Sequence, residues 1–268
     1  MMECKKALSA EGNDYDKAAE WLRKNGTTKA ASKLVGRSAS EGLIGISFDA
    51  ECGKASIVKI SSETDFASRS TDFQHLVDVV ADHALLESNV DKLKDAVKDD
   101  LDKAILAIRE NLQISSVEVM TASSDDSVLV GYVHGKVSND RHAGTAAALV
   151  ELRSRAKESD LSKEDIQSFG KRLSMHIVAA KPSYRSVEDV PNHEMEKERD
   201  FLMDQMADSG KPTEIKEKIV GGRMRKYFES ICLVEQSHML EDGNPKVSKA
   251  LDDMGLELVS FKSSYVAS

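Results

Sequence analysis

The 268-residue chain is poor in several features that define whole classes of protein. Its cysteines, Cys4, Cys52 and Cys232, are odd in number and far apart, which speaks against a disulfide framework and against a zinc site. Long apolar runs are missing, and no stretch approaches the roughly 20 residues that a bilayer span requires. The opening Met1-Met2-Glu3-Cys4-Lys5-Lys6 is polar from the third residue and does not read as a secretory leader. Positive charge is in deficit: 37 Lys and Arg against 46 Asp and Glu leave −9, the wrong sign for a chain whose main task is gripping nucleic acid. A soluble intracellular protein with no direct nucleic-acid partner and no membrane partner is the expectation.

Motifs of bond-making chemistry are missing as well. The chain has no G-x-x-x-x-G-K-[ST] and no G-x-G-x-x-G after a strand, so no phosphate cradle is written locally. No G-x-S-x-G marks a nucleophile. The seven histidines form neither H-x-x-x-H nor H-E-x-x-H, and the carboxylate clusters at Asp99-Asp100-Asp102 and Asp125-Asp126 lack the Gly and distal Glu of a calcium loop. No catalytic residue, metal or cofactor is therefore expected.

What is present suffices for a core: 40% of the residues are hydrophobic and 31% are charged. Charge is uneven, with 8 basic and 18 acidic groups in residues 41–130 against 8 and 5 in residues 1–40. Solvated helix faces explain that pattern, and steering of a partner is the other reading. The first forty residues read as a helical module. Met1, Met2, Ala7 and Leu8 end one helix, Gly12-Asn13 turns the chain, and Asp14 caps a second helix with Ala18, Trp21 and Leu22 on its apolar face. Gly26 stops it, and residues 28–35 form a third. Because the pattern opens mid-helix, the first helix reads as truncated.

From Gly42 the hydrophobic period becomes two. Strands are expected at residues 43–48 and 55–60, joined by a polar turn at 49–53. A helix capped at Thr71 follows, then one continuous helix over residues 90–110, strands at 117–120, 128–133 and 146–152, and a helix at 163–180. Strand, turn, strand, linker and helix thus occur twice, at 42–86 and 128–180, a weak internal echo. Residues 190–228 read as two helices split by Gly210-Lys211-Pro212, with Met195, Leu202 and Met206 on one seam and Ile215, Ile219 and Tyr227 on the other. So narrow a seam predicts a projecting antiparallel coiled coil. A strand at 231–235, a helix at 245–254 and a strand at 256–262 complete the pattern.

One place breaks the echo. After the second strand the first copy reads Ser61-Ser62-Glu63-Thr64-Asp65-Phe66-Ala67, an apolar ring beside an acid in a polar loop. Phe66 either caps the core at the strand-to-helix corner or protrudes as an aromatic anchor for a partner's pocket. The residues alone leave both readings open.

Several segments together resemble the elongation factor Ts family, the guanine-nucleotide exchange factors for elongation factor Tu. They are Met1-Met2-Glu3-Cys4-Lys5-Lys6-Ala7-Leu8, Glu63-Thr64-Asp65-Phe66, Gly131-Tyr132-Val133-His134-Gly135, Met175-His176-Ile177-Val178-Ala179-Ala180-Lys181-Pro182, Ser209-Gly210-Lys211-Pro212 and Gly222-Arg223-Met224, in family order across nearly the whole chain. The resemblance implies an α+β fold: an N-terminal ubiquitin-associated-like three-helix module (1–40), a core of two subdomains with antiparallel sheets (41–125; 126–189 with 229–268) and an inserted coiled-coil hairpin (190–228). It implies that Asp65-Phe66, with Thr64, pushes between two helices of the partner GTPase near its magnesium and phosphate site, so that GDP leaves. It further implies partner contacts at Met1, Met2, Ile108 and His134, and a coiled coil that faces the partner or self-associates. The family's glycine after Ile108 is Arg109 here.

The long C-terminal helix of many bacterial members is not expected, and Ala67-Ser68-Arg69-Ser70 looks like the organellar branch, which implies the mitochondrial matrix, with a bacterial or plastid compartment as the alternative. A different class of function competes with exchange: a non-exchanging adaptor that binds proteins through the helical module and the coiled coil. An enzyme with a site assembled from distant residues is the third reading.

Overall fold

The computed structural model describes residues 2–22, 37–138, 142–155, 161–206 and 212–266. The protein has an α+β architecture and divides into two compact units. One comprises Met1–Thr121, Val133–Ala147 and Ser264–Ser268, the other Ala122–Tyr132 and Ala148–Ser263.

The first unit begins with α1 (Met2–Ala10) and a turn in which Gly12 and Asn13 take positive φ. Asp14 then accepts the Lys17 N–H at 3.1 Å, the N-cap bond expected of it, and residues 15–22 are helical. The predicted stop at Gly26 and the third helix at 28–35 lie outside the described residues. β1 (Glu41–Asp49) and β2 (Lys54–Ser62) form an antiparallel hairpin with Ile46 opposite Ile57. Asp49 closes its turn by accepting the Glu51 and Cys52 N–H groups. β3 (Gln113–Thr121) pairs antiparallel with β2, and the chain returns between its later strands β4 (Ser127–His134) and β6 (Ala146–Ser154) to lay the two-residue β5 (Ala143–Gly144) beside β1. The sheet order is β3-β2-β1-β5.

Two short helical pieces follow the hairpin: a knuckle, α2 (Asp65–Ser68), and α3 (Thr71–Ala84). The N-cap of α3 is Ser70, one residue before the expected Thr71, and its side chain accepts from the Phe73 N–H. α3 lies on the hairpin. Phe73, Leu76, Val77 and Val80, spaced as one helical face, are buried with Leu43, Val58 and Ile60. Burial of each such side chain contributes roughly 1.5–3 kcal/mol. Buried polar groups are satisfied within this contact: Ser56 Oγ donates to the Ala81 carbonyl at 2.6 Å. The approach needs a bare backbone at Gly45, where a Cβ would come within 2.5 Å of Val77 Cγ1.

The single helix expected over residues 90–110 is two, α4 (Val90–Ala96) and α5 (Lys98–Ile108). Val97 leaves the helical region at φ −104°, ψ 16°, and the bend between the pieces keeps Leu93, Val97 and Ala104 all in the core.

The second sheet, ordered β4-β6-β7 with β7 at Leu256–Tyr265, carries most of the other unit. Its middle strand is buried from Ala146 through Leu152. Glu151 is buried there as well, accepting from the Ser123 N–H at 2.7 Å and Ser260 Oγ at 3.0 Å. Burial pushes that carboxyl's pKa up, but hydrogen bonds from Ser123, Ser127 and Ser260 outweigh it and hold the group below the usual carboxylate range. α6 (Lys163–Ala180) starts at a Ser162–Asp165 capping box and buries Ile166, Phe169, Leu173 and Ile177, the face its periodicity assigns.

Two further helices, α7 (Asn192–Asp204) and α8 (Thr213–Ile231), pack together, with Arg223 donating to Gln205 at 2.9 Å. Leu202, Met206 and Val220 are buried. Ile215, expected on the seam, is 46% exposed, whereas Val220 of the same helix is buried. The strand expected at 231–235 does not form. α8 runs through Ile231, and Leu233–Glu235 is a 3-10 turn, so the buried Cys232 and Leu233 belong to a turn whose short apolar run mimicked a strand. α9 (Val247–Asp253) leads into β7.

Candidate functional site

The Ser61–Ser70 segment turns its polar residues inward on its own backbone. Ser62 Oγ donates to the Thr64 carbonyl at 3.0 Å, Thr64 Oγ1 accepts the Ala67 N–H at 3.3 Å, and Ser68 Oγ donates to the Asp65 carbonyl at 2.7 Å. Ser70 donates to the Ala67 carbonyl and caps α3. These hydroxyls tie the backbone together between the end of β2 and the start of α3. The resulting knuckle buries Ala67 and Ser68 and turns Asp65 and Phe66 outward. Phe66 is 79% exposed, which decides against the core-capping reading of this ring. Asp65 pairs with Arg69 one turn on, at 3.3 Å, an exposed ion pair of little energetic weight.

A second layer comes from the far end of α5. Arg109 takes the left-handed conformation, φ 63° and ψ 30°, donating its N–H to the Ile105 carbonyl at 2.8 Å. That turn swings Glu110 back toward the knuckle. Glu110 Oε2 accepts the N–H groups of Glu63 at 3.1 Å and Thr64 at 3.0 Å, while Oε1 accepts from Thr64 Oγ1 at 2.6 Å. Glu63 returns the bond, its Oε1 accepting the Asn111 N–H at 2.8 Å and its Oε2 facing Arg37 Nη1 at 3.4 Å. Asn111 Nδ2 donates to the Arg37 carbonyl at 2.9 Å.

The hydrogen bonds therefore bring Thr64, Asp65 and Phe66 together with the end of the helix that carries Ile108. Ile108 is half-buried and packs on the core. Met2, on α1, is 74% exposed, and His134 is exposed at the end of β4. These two lie on other elements, and Met1 lies outside the described residues. Around His134 the chain is held by its backbone, since the His134 carbonyl accepts the Thr145 N–H at 2.8 Å. Sequence reading missed Glu110 as a member of this site and placed Glu63 beside the loop without its bonding role, because the partners lie 46 to 48 residues apart in the chain. The one signal available was a carboxylate directly after the departure at Arg109.

The second unit holds a feature that no spacing announced. His176 and His238 are buried with ring centroids 5.1 Å apart, and Phe169 lies 5.9 Å from His238. His176 Nε2 bonds Gln236 Oε1 at 3.0 Å, and the Nδ1 atoms of the two rings accept the Met239 and Leu240 N–H groups. With Nδ1 accepting, both rings are neutral with the proton on Nε2. Burial, aided by the neighbouring His176, pushes His238 down to about 4.

Comparison with known proteins adds to this geometry. The sequence profile of the family described as Elongation factor TS matches residues 63–267. Elongation factor Ts of Rhodospirillum rubrum is 35% identical over 268 residues, covering 96% of this chain and 82% of the relative. That of Gluconobacter oxydans is 35% identical over 271 residues, 98% of this chain and 85% of the relative. That of Rhizobium leguminosarum is 38% identical over 259 residues, 93% of this chain and 79% of the relative. Profile and relatives agree over both units, and the chain belongs to the elongation factor Ts family of translation elongation factors.

Proposed function

We propose that this protein is the guanine-nucleotide exchange factor for elongation factor Tu and that the Asp65-Phe66 knuckle is the element that expels GDP. One observation carries the reading: a large aromatic ring, 79% exposed, stands on a knuckle held by hydrogen bonds of the Ser62, Thr64 and Ser68 hydroxyls to its own backbone. An exposed ring costs free energy in water and recovers it in a partner's pocket. Here it enters between helices of the GTPase near the magnesium and phosphate site, with Asp65 beside it and Thr64 fixing the backbone. Ile108, Met1, Met2 and His134 supply further contacts. The energetics are linkage: a factor that binds the nucleotide-free GTPase better must weaken GDP binding by the same ratio. No bond is made or broken.

The same reading keeps the N-terminal helical module, the two-subdomain core and the α7–α8 arm as functional parts, the arm contacting the partner or a second copy. Residues 67–70 support work in the mitochondrial matrix, whereas the relatives named above come from bacteria. The test is release of a fluorescent GDP analogue from elongation factor Tu of mitochondrial and of bacterial origin, with and without the protein. Acceleration with either supports exchange, and the preferred partner identifies the compartment. No acceleration at saturating protein rejects exchange in favour of a non-exchanging adaptor.

A further inference from the structure

The knuckle that carries Phe66 is bounded by the end of β2 at Ser62 and the start of α3 at Thr71, while α5 ends at Ile108. The N–H groups of Glu63, Thr64 and Asn111 therefore fall outside every strand or helix ladder. Two crossed carboxylates take all three: Glu110 those of residues 63 and 64, Glu63 that of residue 111. Hydrogen bonds to an ionised acceptor are the stronger kind, and the shortest of the set runs from the Thr64 hydroxyl to Glu110 at 2.6 Å. Thr64 is also the relay, since the oxygen that donates to Glu110 accepts the Ala67 N–H inside the knuckle. The chain leading from the N-terminal module is tied in as well, through Arg37 to Glu63 and Asn111.

We propose that Glu110 is the positioning residue of the exchange site, acting through Thr64 to hold Phe66 in its binding geometry before the partner arrives. The inference rests on the exchange reading above. Ordering a loop costs free energy per residue, and a clamp already closed in the free protein moves that cost from binding to folding. Glu110 acts through its hydrogen bonds to the Glu63 and Thr64 backbone and to the Thr64 hydroxyl. Its effect therefore falls on how readily the partner is engaged and leaves the rate at saturation intact. Phe66 itself governs that saturated rate.

The experiment is nucleotide release from elongation factor Tu over a concentration series of the full chain, for wild type, Glu110→Ala, Glu110→Gln, Thr64→Val, Thr64→Ser and the double variant Glu110→Ala/Thr64→Val. Amide exchange of residues 63–68 is followed in each free variant. Glu110→Ala and Thr64→Val each raise the half-saturating concentration about tenfold, the equivalent of releasing one to two ordered residues, and in Glu110→Ala the saturated rate changes less than about twofold. The double variant is no worse than either single, because both open one clamp. Glu110→Gln and Thr64→Ser stay within about threefold of wild type, since each keeps an acceptor or donor in place. Amides of 63–68 exchange faster in the Ala and Val variants while those of β2 and α5 do not.

Additive losses in the double variant overturn the proposal in favour of two separate direct contacts. Faster amide exchange with an unchanged half-saturating concentration overturns it too, by showing that loop order is irrelevant to binding. If wild type accelerates release and the variants match it, this inference alone falls. If wild type fails to accelerate release, the exchange reading falls and takes the inference with it.

Discussion

Phe66 and Arg109 are two residues whose chemistry runs against their surroundings. A ring exposed as fully as Phe66 does not hold the fold together, so Phe66→Ala changes unfolding free energy by no more than about 0.5 kcal/mol, as read from urea denaturation. The same substitution removes the group proposed to enter the partner. Stability and function separate at this position, and a large loss of stability would show the ring to be structural after all. Arg109 bears a left-handed backbone without being glycine. Left-handed geometry costs a residue with a Cβ about 1 kcal/mol, so Arg109→Gly stabilises the protein by up to that amount, whereas a β-branched Arg109→Val destabilises it. Arg109 nonetheless takes that conformation, and its turn aims Glu110 at the knuckle. Asp65-Phe66 could be singled out in the sequence because a change of hydrophobic period brackets a polar loop there. Glu110 could not, because its role exists only once α5 has brought it across 46 residues of chain.

At the scale of elements, local pattern located nearly every helix and strand of the described residues, and it failed where tertiary packing overrode the pattern. The stripe through residues 90–108 carries no Pro or Gly to announce the break at Val97, which is set by burial of that side chain. β5 is two residues long, below what periodicity can detect, and exists because Ile44 and Gly45 offer it a pairing edge. Its approach to β4 depends on Gly144, where a Cβ would lie 2.2 Å from the His134 carbonyl oxygen. Gly144→Ala therefore costs roughly 1–3 kcal/mol and moves the β4–β5 connection, measurable as a shifted urea midpoint and perturbed His134 resonances.

The packing of α6 against residues 236–241 makes a pH prediction. His238 carries a pKa near 4 in the folded protein against about 6.5 when unfolded, so the unfolded state binds more protons between those values. Arg172 adds to the repulsion of a charged ring there and Glu241 opposes it. Stability is whole above about pH 6.5, falls as the pH drops toward 4, and loses roughly 3 kcal/mol across that window. His176, lowered in the same sense by its burial, adds to the loss. Carboxylates held low, such as Glu151, lose their contribution only below about pH 4.5. Urea midpoints measured from pH 7 to 5 isolate the histidines, and a flat profile there would contradict their neutral, buried state.

For the whole molecule, each of the two units has its own sheet, but the division does not follow the weak echo between residues 42–86 and 128–180, because Val133–Ala147 of the second copy belongs to the first unit. The two copies share strand, connection, strand and helix, but the polar segment that carries Phe66 occurs in the first alone. Shared positions serve packing, as Phe73 and Phe169 do within their units, while the unshared segment is free to serve a partner. Function was legible to that extent: a scaffold repeated and a loop that was not. Family membership names the process, translation elongation, and the buttressed knuckle names the place on the molecule where the partner is proposed to be worked upon. Both meet in one measurement: stopped-flow release of a fluorescent GDP analogue from elongation factor Tu, at saturating wild-type protein and at saturating Phe66→Ala. Wild type is expected to accelerate release strongly and Phe66→Ala to lose most of that acceleration while remaining folded; equal acceleration by the two proteins would contradict the wedge, and none by either would contradict exchange itself.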